Sequence, residues 1–239
     1  MLALLAGAAA APASAKPAAL EPKAEAQSFD KVFKVRTNAP ERFGASEKLW
    51  KAFVNNGFLA KTQSARKDKT KQLMICDIGA ADGSLTHFVA KAFDMNAHAY
   101  DIVVPEKNLY TVGKTMWPVK LYDGKHIPEP AGGCDITLFA YVLHHAADST
   151  FKLLQEAARV TKHGTGHVLM CEDLADHKDA IRGARNLMHD PHGTFRTDGE
   201  WKAMLTAFGL ELKESGRLFG DDAPQAFYIS TPNATVATL

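Results

Sequence analysis

A glycine-containing turn after a short apolar run is the first place where the residue types could do chemistry. The stretch Met74 to Leu85 reads MICDIGAADGSL, and its apolar run leads through Gly79 and Gly83 into a segment of helical length. Glycines let the backbone approach a ligand closely, and the first turn of a helix offers unpaired N–H groups. A dinucleotide fingerprint would need a third glycine, and Leu85 stands beyond Gly83 instead. The carboxylate of Asp77 would repel a pyrophosphate and attract a cationic ligand group.

A second carboxylate, Asp101, lies in the next apolar run, Ala97 to Val104. At the carboxyl end of a strand, a carboxylate can accept hydrogen bonds from both hydroxyls of a ribose, as it does in dinucleotide-binding folds. The alternative is a lone acid that caps the strand. The position of Asp101 after the glycine turn favours the ribose interpretation.

Histidines and acids also follow two later apolar runs. Tyr141, His144 and His145 end or follow the run Asp135 to Tyr141, and Glu172 and Asp173 follow the run Gly166 to Cys171. A histidine there could take a proton from a hydroxyl or an amine at neutral pH. The alternative is that both histidines only pack under a ligand or cap a helix. The two acids either bind a cationic or metal-bound molecule or end the strand in water.

These residues require a scaffold that brings several strand ends to one edge. Runs of strand length alternate with segments of helical length, which predicts a parallel sheet covered on both faces. Ligands bind outside the carboxyl ends of such strands. We therefore expect one α/β domain with a doubly wound, mostly parallel, seven-stranded sheet. The remaining predicted strands are Leu73 to Ile78, Val119 to Tyr122, Leu210 to Leu218 and Gln225 to Ser230. The predicted helices are Ser84 to Phe93, Glu106 to Val112, Thr150 to Thr161 and Asp198 to Phe208.

The N-terminal part of the chain differs in composition from the sheet domain, which we place at residues 72–235. Residues 1–28 are rich in Ala and Pro, and they fit a secretory signal, an organelle transit peptide or a disordered tail equally well. We expect an intracellular protein, with an organelle as one open destination. Residues 29–71 are predicted to form a helical cap, with one amphipathic helix over Ala45 to Ala60, and a basic loop over Lys61 to Lys71.

The charge balance and the cysteine content bear on which partners and which cysteine chemistry to expect. Twenty-eight basic and 27 acidic residues leave a formal charge of +1, which gives no global attraction to nucleic acid or membrane. Cys76, Cys134 and Cys171 lack the paired spacing of a zinc site or a disulfide framework. We interpret them as small buried apolar residues, in keeping with a reducing compartment.

As a set, the motifs resemble class I S-adenosylmethionine-dependent methyltransferases. Asp77 to Gly83 (DIGAADG) is similar to motif I, with Ala81 where the family often has its middle glycine. The segments around Asp123, His144 and Glu172 resemble the type 11 branch, so the resemblance covers about Leu73 to Asp173. It implies a Rossmann-like methyltransferase fold with S-adenosylmethionine as cofactor. The cofactor-binding residues that it implies are Asp77, Gly79, Ala81, Gly83, Asp101, Ile102, Asp123, Gly124 and Tyr141, with Asp123 near the adenine.

On the acceptor side, the resemblance favours His145 over His144 as the residue that meets the methyl acceptor. Glu172, Asp173 and Arg196 are further candidates for contact with the acceptor. The segment His177 to Arg196 looks like the insertion that family members use to cover it. Histidines 177, 189 and 192 lie beside acids, but they show no tight ligand spacing on a defined element, so we assign no metal.

Three functions stay open, led by an enzyme that methylates a small molecule. The second is a methyltransferase-like protein that binds the cofactor without catalysis and acts as an assembly or scaffold factor. The third is an RNA methyltransferase that uses the basic loop. Base-modifying amino methyltransferases commonly carry an Asn/Asp-Pro-Pro-aromatic run where this chain has Ala140 to Leu143, so nucleic acid ranks last as a partner. The oligomeric state is not predicted.

Overall fold

The computed structural model describes residues 40–66, 68, 70–103, 117–175, 192–218 and 225–233, with the side chains of 40–47 left aside. Several expectations lie outside these residues. They are the segment 1–28, the helix expected at Glu106 to Val112, and most of the cover expected over His177 to Arg196.

The core of the fold is a seven-stranded sheet in the order β3-β2-β1-β4-β5-β7-β6. Strands β1 to β5 run parallel, and β7 pairs antiparallel with both β5 and β6. The strands are β1 Met74–Ile78, β2 Asn96–Asp101, β3 Val119–Leu121, β4 Ile136–Ala140, β5 His167–Asp173, β6 Leu210–Arg217 and β7 Gln225–Pro232. The sequence prediction of a doubly wound, mostly parallel sheet in a single α/β domain is confirmed.

Helices cover both faces of the sheet, because each buries an apolar stripe against alternate strand residues. The bounds are α1 Pro40–Asn55, α2 Phe58–Ser64, α3 Ser84–Ala92, α4 Thr150–Val160 and α5 Asp198–Ala207. One core cluster combines α4 and α5 with residues such as Ile78 and Phe139, and the other combines α1, α2 and α3 with residues such as Ile75 and Leu138. Among the described residues, no helix has the length and apolarity that a membrane crossing requires.

The N-terminal region departs from the expectation of one helix followed by a basic loop. Gly57 adopts a left-handed conformation with φ of 73°, which ends the first helix and starts the second. Helix α2 then continues through Lys61 to Ser64, where a loop was expected. Phe53 and Phe58 stack on each other near His167 at the start of β5, so this region packs against the sheet.

The interpretation of the three cysteines as unpaired residues is wrong for two of them. Cys76 in β1 and Cys134, just before β4, form a disulfide with a Cα–Cα distance of 5.9 Å. Parallel pairing of β1 with β4 brings the two residues together across 58 positions of sequence, which no local spacing reveals. Cys171 is the free cysteine among the described residues, and it is buried in β5.

Candidate functional site

The turn between β1 and α3 is built from left-handed backbone conformations. Gly79 and Gly83 have φ of 77° and 72°, and Ala81 between them has φ of 55°. The N–H groups of Gly79 and Ala80 both donate to the carbonyl of Tyr100, which fixes the turn to β2. The turn therefore holds its shape through backbone contacts, with glycine at two of its left-handed positions.

Close approach by neighbouring segments explains why these two positions tolerate only glycine. A Cβ on Gly79 would lie 2.4 Å from a methyl of Val142, in the loop after β4. A Cβ on Gly83 would lie 2.6 Å from the carbonyl oxygen of Trp117. The turn is thus enclosed on both sides by other segments of the chain. The close approach that the sequence pattern predicts is to a ligand, and it stays a prediction.

Asp101 ends β2 with its carboxylate directed at the turn. Its Oδ2 accepts a hydrogen bond of 2.7 Å from the N–H of Ala81, and its Oδ1 accepts one from the N–H of Val103. The residue is almost fully buried. The acid expected to meet a ribose therefore also anchors the middle of the glycine turn.

Asp77 lies on β1, the strand that pairs with β2, and its side chain is almost fully buried. The hydroxyl of Thr86 in α3 donates to its carboxylate at 2.5 Å. The pKa of Asp77 is raised to about 7, chiefly by burial; the hydrogen bond from Thr86 opposes this rise, and the nearby carboxylates of Asp101 and Asp82 add to it. Such an acid is poised to ionise when a cation lies beside it.

The strand ends of β2 and β3 bring together the residues assigned to the adenine side. A Cβ on Gly124 would meet a methyl of Ile102 at 3.0 Å, so these two residues are neighbours. The Oδ1 of Asp123 accepts hydrogen bonds from the N–H groups of Lys125 and His126. Slight burial would raise the pKa of Asp123, but the bonds from His126 and Lys125 outweigh it and lower that pKa.

The loop after β4 carries the acceptor-side histidines and is held by Glu172 at the end of β5. One oxygen of Glu172 accepts hydrogen bonds from the N–H groups of Val142 and Leu143, at 3.1 and 2.7 Å. Its other oxygen lies 2.6 Å from Nδ1 of His144, and both side chains are almost fully buried. His145 is only half-buried, and its ring centroid lies 4.1 Å from that of His144. Tyr141 starts the loop with φ of 62°.

A segment far along the chain completes the surroundings of this loop. The N–H of Thr194 donates to the carbonyl of His144 at 2.6 Å, and the ring of Phe195 stacks on the His144 ring. The guanidinium of Arg196 lies 4.9 Å from the ring centre of Trp201. Burial lowers the pKa of Arg196, and the charges of Glu172 and Glu200 oppose that shift. Asp173 instead accepts a hydrogen bond from Gln225 of β7.

The structure thus gathers the expected residues into two neighbouring groups at one sheet edge. Sequence reasoning missed Thr86, Val142 and Phe195, which hold Asp77, Gly79 and His144 in place. Val142 lies two positions before His144, in the same motif, so the motif itself was a signal for it. Thr86 and Phe195 had no local signal. His192 is exposed, and histidines 177 and 189 lie outside the described residues.

Similar folds occur in several solved methyltransferases, each with low sequence identity. Burkholderia thailandensis 1,6-didemethyltoxoflavin-N1-methyltransferase, solved with bound 1,6-didemethyltoxoflavin and S-adenosylhomocysteine, matches with a TM-score of 0.61 at 15% identity, over 89% of this chain and 87% of that one. Haemonchus contortus phosphoethanolamine N-methyltransferase 2, solved with phosphomonomethylethanolamine and S-adenosylhomocysteine, matches with a TM-score of 0.55 at 13% identity, over 74% and 53%.

A third structure is a complex of two proteins. The Haloferax volcanii complex of the Trm112 methyltransferase activator with a methyltransferase contains a chain that matches with a TM-score of 0.56 at 14% identity, over 81% of this chain and 97% of that one. No curated protein matches the sequence.

The left-handed glycine turn and the acid at the end of β2 are compatible with the S-adenosylmethionine site expected from the sequence. The matched structures from Burkholderia thailandensis and Haemonchus contortus hold S-adenosylhomocysteine. A family model described as a methyltransferase domain matches residues 48–215, which is most of the chain and all of its sheet except β7 and the last two residues of β6. The protein is therefore a member of this methyltransferase-domain family.

Proposed function

We propose that this protein transfers the methyl group of S-adenosylmethionine to a small-molecule acceptor that lies over the carboxyl ends of β4 and β5. The contact between Val142 and Gly79 carries the proposal. It sets the histidine-bearing loop directly against the turn that would hold the cofactor. His145 is three positions beyond Val142, so a group at the acceptor side is within short reach of the cofactor side.

The residues of the first three strands would hold the cofactor. The carboxylate of Asp101 has about four lone-pair sites and can accept from ribose hydroxyls in addition to backbone N–H groups. Ile102, Asp123 and Gly124 would border the adenine. Asp77 would lie near the cationic methionine end, where a positive charge keeps its carboxylate ionised. When bound, the cofactor supplies an electrophilic methyl group on a sulfonium.

We assign the proton-accepting role to His145. An acceptor hydroxyl or amine would have to give up its proton on methylation, and a histidine beside the acceptor would take that proton. His145 is half-buried, while His144 is almost fully buried, so His145 is the histidine that an acceptor can reach. An imidazole can take such a proton near neutral pH.

Glu172 and His144 act in this proposal as positioning residues. Glu172 accepts three hydrogen bonds from the loop after β4, two from backbone N–H groups and one from the His144 ring. These bonds fix the orientation of the His144 ring. The His145 ring packs against the His144 ring, so the fixed ring would restrict the orientation of the proton acceptor. Arg196, close to Glu172, would offer a positive charge to an anionic part of the acceptor.

The function is tested by incubating the purified protein with methyl-labelled cofactor and a fractionated cell extract. We expect label in the small-molecule fraction. Label in RNA or in protein would overturn the small-molecule assignment. Cofactor binding without any transfer would favour the alternative of a cofactor-binding assembly factor.

The role of His145 is tested in the same assay by His145→Ala. If His145 is the proton acceptor, the substitution should lower kcat by about a hundredfold or more and leave cofactor affinity nearly unchanged. His163→Ala is the matched control, since His163 is an exposed histidine that precedes β5 at the opposite edge of the sheet. A His145→Ala variant with the wild-type kcat from about pH 6 to 8 would contradict the proton-acceptor role. Catalysis would then come from the alignment of acceptor and cofactor alone.

A further inference from the structure

The buried cysteine pair lies against a carboxylate, in a cluster outside the site described above. Cys76, Cys134 and Glu129 each offer a ligand atom, and these atoms all lie within 4.8 Å of one another. Both cysteines are fully buried, and the side chain of Glu129 is 7% exposed. Two sulfurs and a carboxylate oxygen converge on one point of the core.

The fold positions these groups from three separate segments. Cys76 lies in the middle of β1, and Cys134 comes just before β4, the strand beside it. Glu129 belongs to the connection from β3 to β4. Opposite Cys76 on β2, His98 brings its Nδ1 to an oxygen of Glu129, and the hydroxyl of Tyr100 donates to the same oxygen at 2.5 Å. The carboxylate is therefore held in place facing the sulfurs.

We propose that Cys76, Cys134 and Glu129 form a binding site for a zinc-like divalent cation when the disulfide is reduced. The disulfide and the metal-bound form are two alternative states of one cluster. A dithiol reductant would supply two electrons and two protons, leaving two thiols and its own disulfide. On metal binding, the two thiols release their protons to solvent and coordinate as thiolates.

The ligand set matches the preferences of zinc. Zn²⁺ is a borderline-soft ion that takes thiolates and carboxylates together, in tetrahedral geometry. Two thiolates on one zinc, with bonds of about 2.3 Å, are about 3.8 Å apart. With 5.9 Å between the Cα atoms, rotation of the two side chains can open this separation. Two thiolates and one carboxylate leave the fourth coordination position to water.

The surroundings of Glu129 resemble the outer shell of a metal site. Metal-binding carboxylates are commonly hydrogen-bonded through a second group, which orients them toward the ion. His98 and Tyr100 do this for Glu129. The side chain of His98, which contacts Glu129, is 37% exposed, so this contact joins the cluster to a residue at the protein surface.

The test compares reduced and oxidised wild-type protein, each titrated with zinc and with cadmium. Metal content after desalting gives the stoichiometry, and the thiolate-to-cadmium charge-transfer absorption reports sulfur ligation. Reduced protein is prepared under a phosphine reductant throughout. Cys171→Ser is the matched control, because Cys171 is also buried in a strand but has no part in the cluster. Cys134→Ser and Glu129→Gln remove one ligand each.

We expect one equivalent of metal in reduced wild type and in Cys171→Ser, and none in the oxidised protein or in Cys134→Ser. Glu129→Gln should weaken binding at least about tenfold, since even outer-shell changes at metal sites cost that much. Binding that survives in the oxidised protein or in Cys134→Ser would overturn the proposal. A reduced wild-type protein that takes up no metal, folded or not, would overturn it as well.

Discussion

The cofactor side and the acceptor side of the sheet edge are built by different means. At the ends of β1 and β2, the site consists of backbone conformations and hydrogen bonds within the unit of β1, α3 and β2, such as the one that the N–H of Ala81 donates to Asp101. At the ends of β4 and β5, it consists of contacts between distant segments, such as His144 with Glu172 and with Phe195. The first side can be read from a local pattern. The second depends on how the whole chain folds.

The largest expected effect comes from the place where the two sides touch. Gly79→Ala adds a Cβ 2.4 Å from Val142 at a left-handed position, so strain and overlap act together. We expect a loss of about 2 to 4 kcal/mol in the free energy of unfolding. Gly132→Ala is the control, since it has φ of 66° and no atom within 4 Å of its Cβ, and it should cost about 1 to 2 kcal/mol.

Chemical denaturation of both variants measures this difference. Adding Val142→Ala to Gly79→Ala should restore part of the lost stability, because it removes the methyl groups that the new Cβ would meet. Equal losses for Gly79→Ala and Gly132→Ala would show that the contact between the two sides is loose.

The next largest effect is a loss of cofactor affinity, which we expect from a substitution on the cofactor side alone. In the proposed site, Asp101→Ala would remove charge-assisted hydrogen bonds to the ribose, and we expect cofactor binding to weaken by about 1.5 to 3 kcal/mol. It should also lower stability, because the N–H groups of Ala81 and Val103 lose their acceptor. Calorimetric titration and thermal unfolding measure the two effects. A folded variant with unchanged affinity would contradict the ribose assignment.

The pH dependence of the cofactor side follows from Asp77. Its pKa of about 7 means that acidification through this value neutralises the carboxylate. Affinity for the cationic cofactor should then fall, by up to about tenfold for each pH unit below 7. Asp77→Asn should bind weakly with a flat pH profile. A wild-type affinity that is constant between about pH 8 and 5 would contradict the position given to Asp77.

The same shift has a consequence for stability without cofactor. A carboxyl whose pKa is raised in the folded state favours folding while it is protonated. Its contribution is complete below its unfolded pKa of 3.8 and is lost as the pH rises through about 7. Asp77→Asn should therefore be more stable than wild type above about pH 7, as measured by urea unfolding.

The smallest expected effect lies in the middle of the glycine turn. Ala81 has φ of 55°, in the left-handed region that an alanine occupies at a cost of about 1 to 2 kcal/mol. Ala81→Gly removes that strain but adds about 0.4 to 1 kcal/mol of unfolded-chain entropy. We expect a net gain in stability of about 1 kcal/mol or less. A loss would show that the alanine methyl contributes to packing.

The sequence predicted the sheet well and the contacts poorly, for physical reasons. Strand runs and glycine positions reflect local backbone preferences, so the strands from Met74 to Pro232 lie close to where they were expected. The pairing of Cys76 with Cys134 arises from strand order, which local spacing does not encode. Glu172 and His144 were both candidates, yet only the fold reveals that one holds the other.

The central claim is that one sheet edge holds S-adenosylmethionine on its first three strands and leaves His145 to the acceptor. It is tested most directly by calorimetric titration of S-adenosylhomocysteine into wild type, Asp101→Ala and His145→Ala. We expect a Kd on the order of 1 μM, or about 8 kcal/mol, for wild type and His145→Ala, with clearly weaker binding for Asp101→Ala. The absence of binding to the folded wild-type protein would contradict the account.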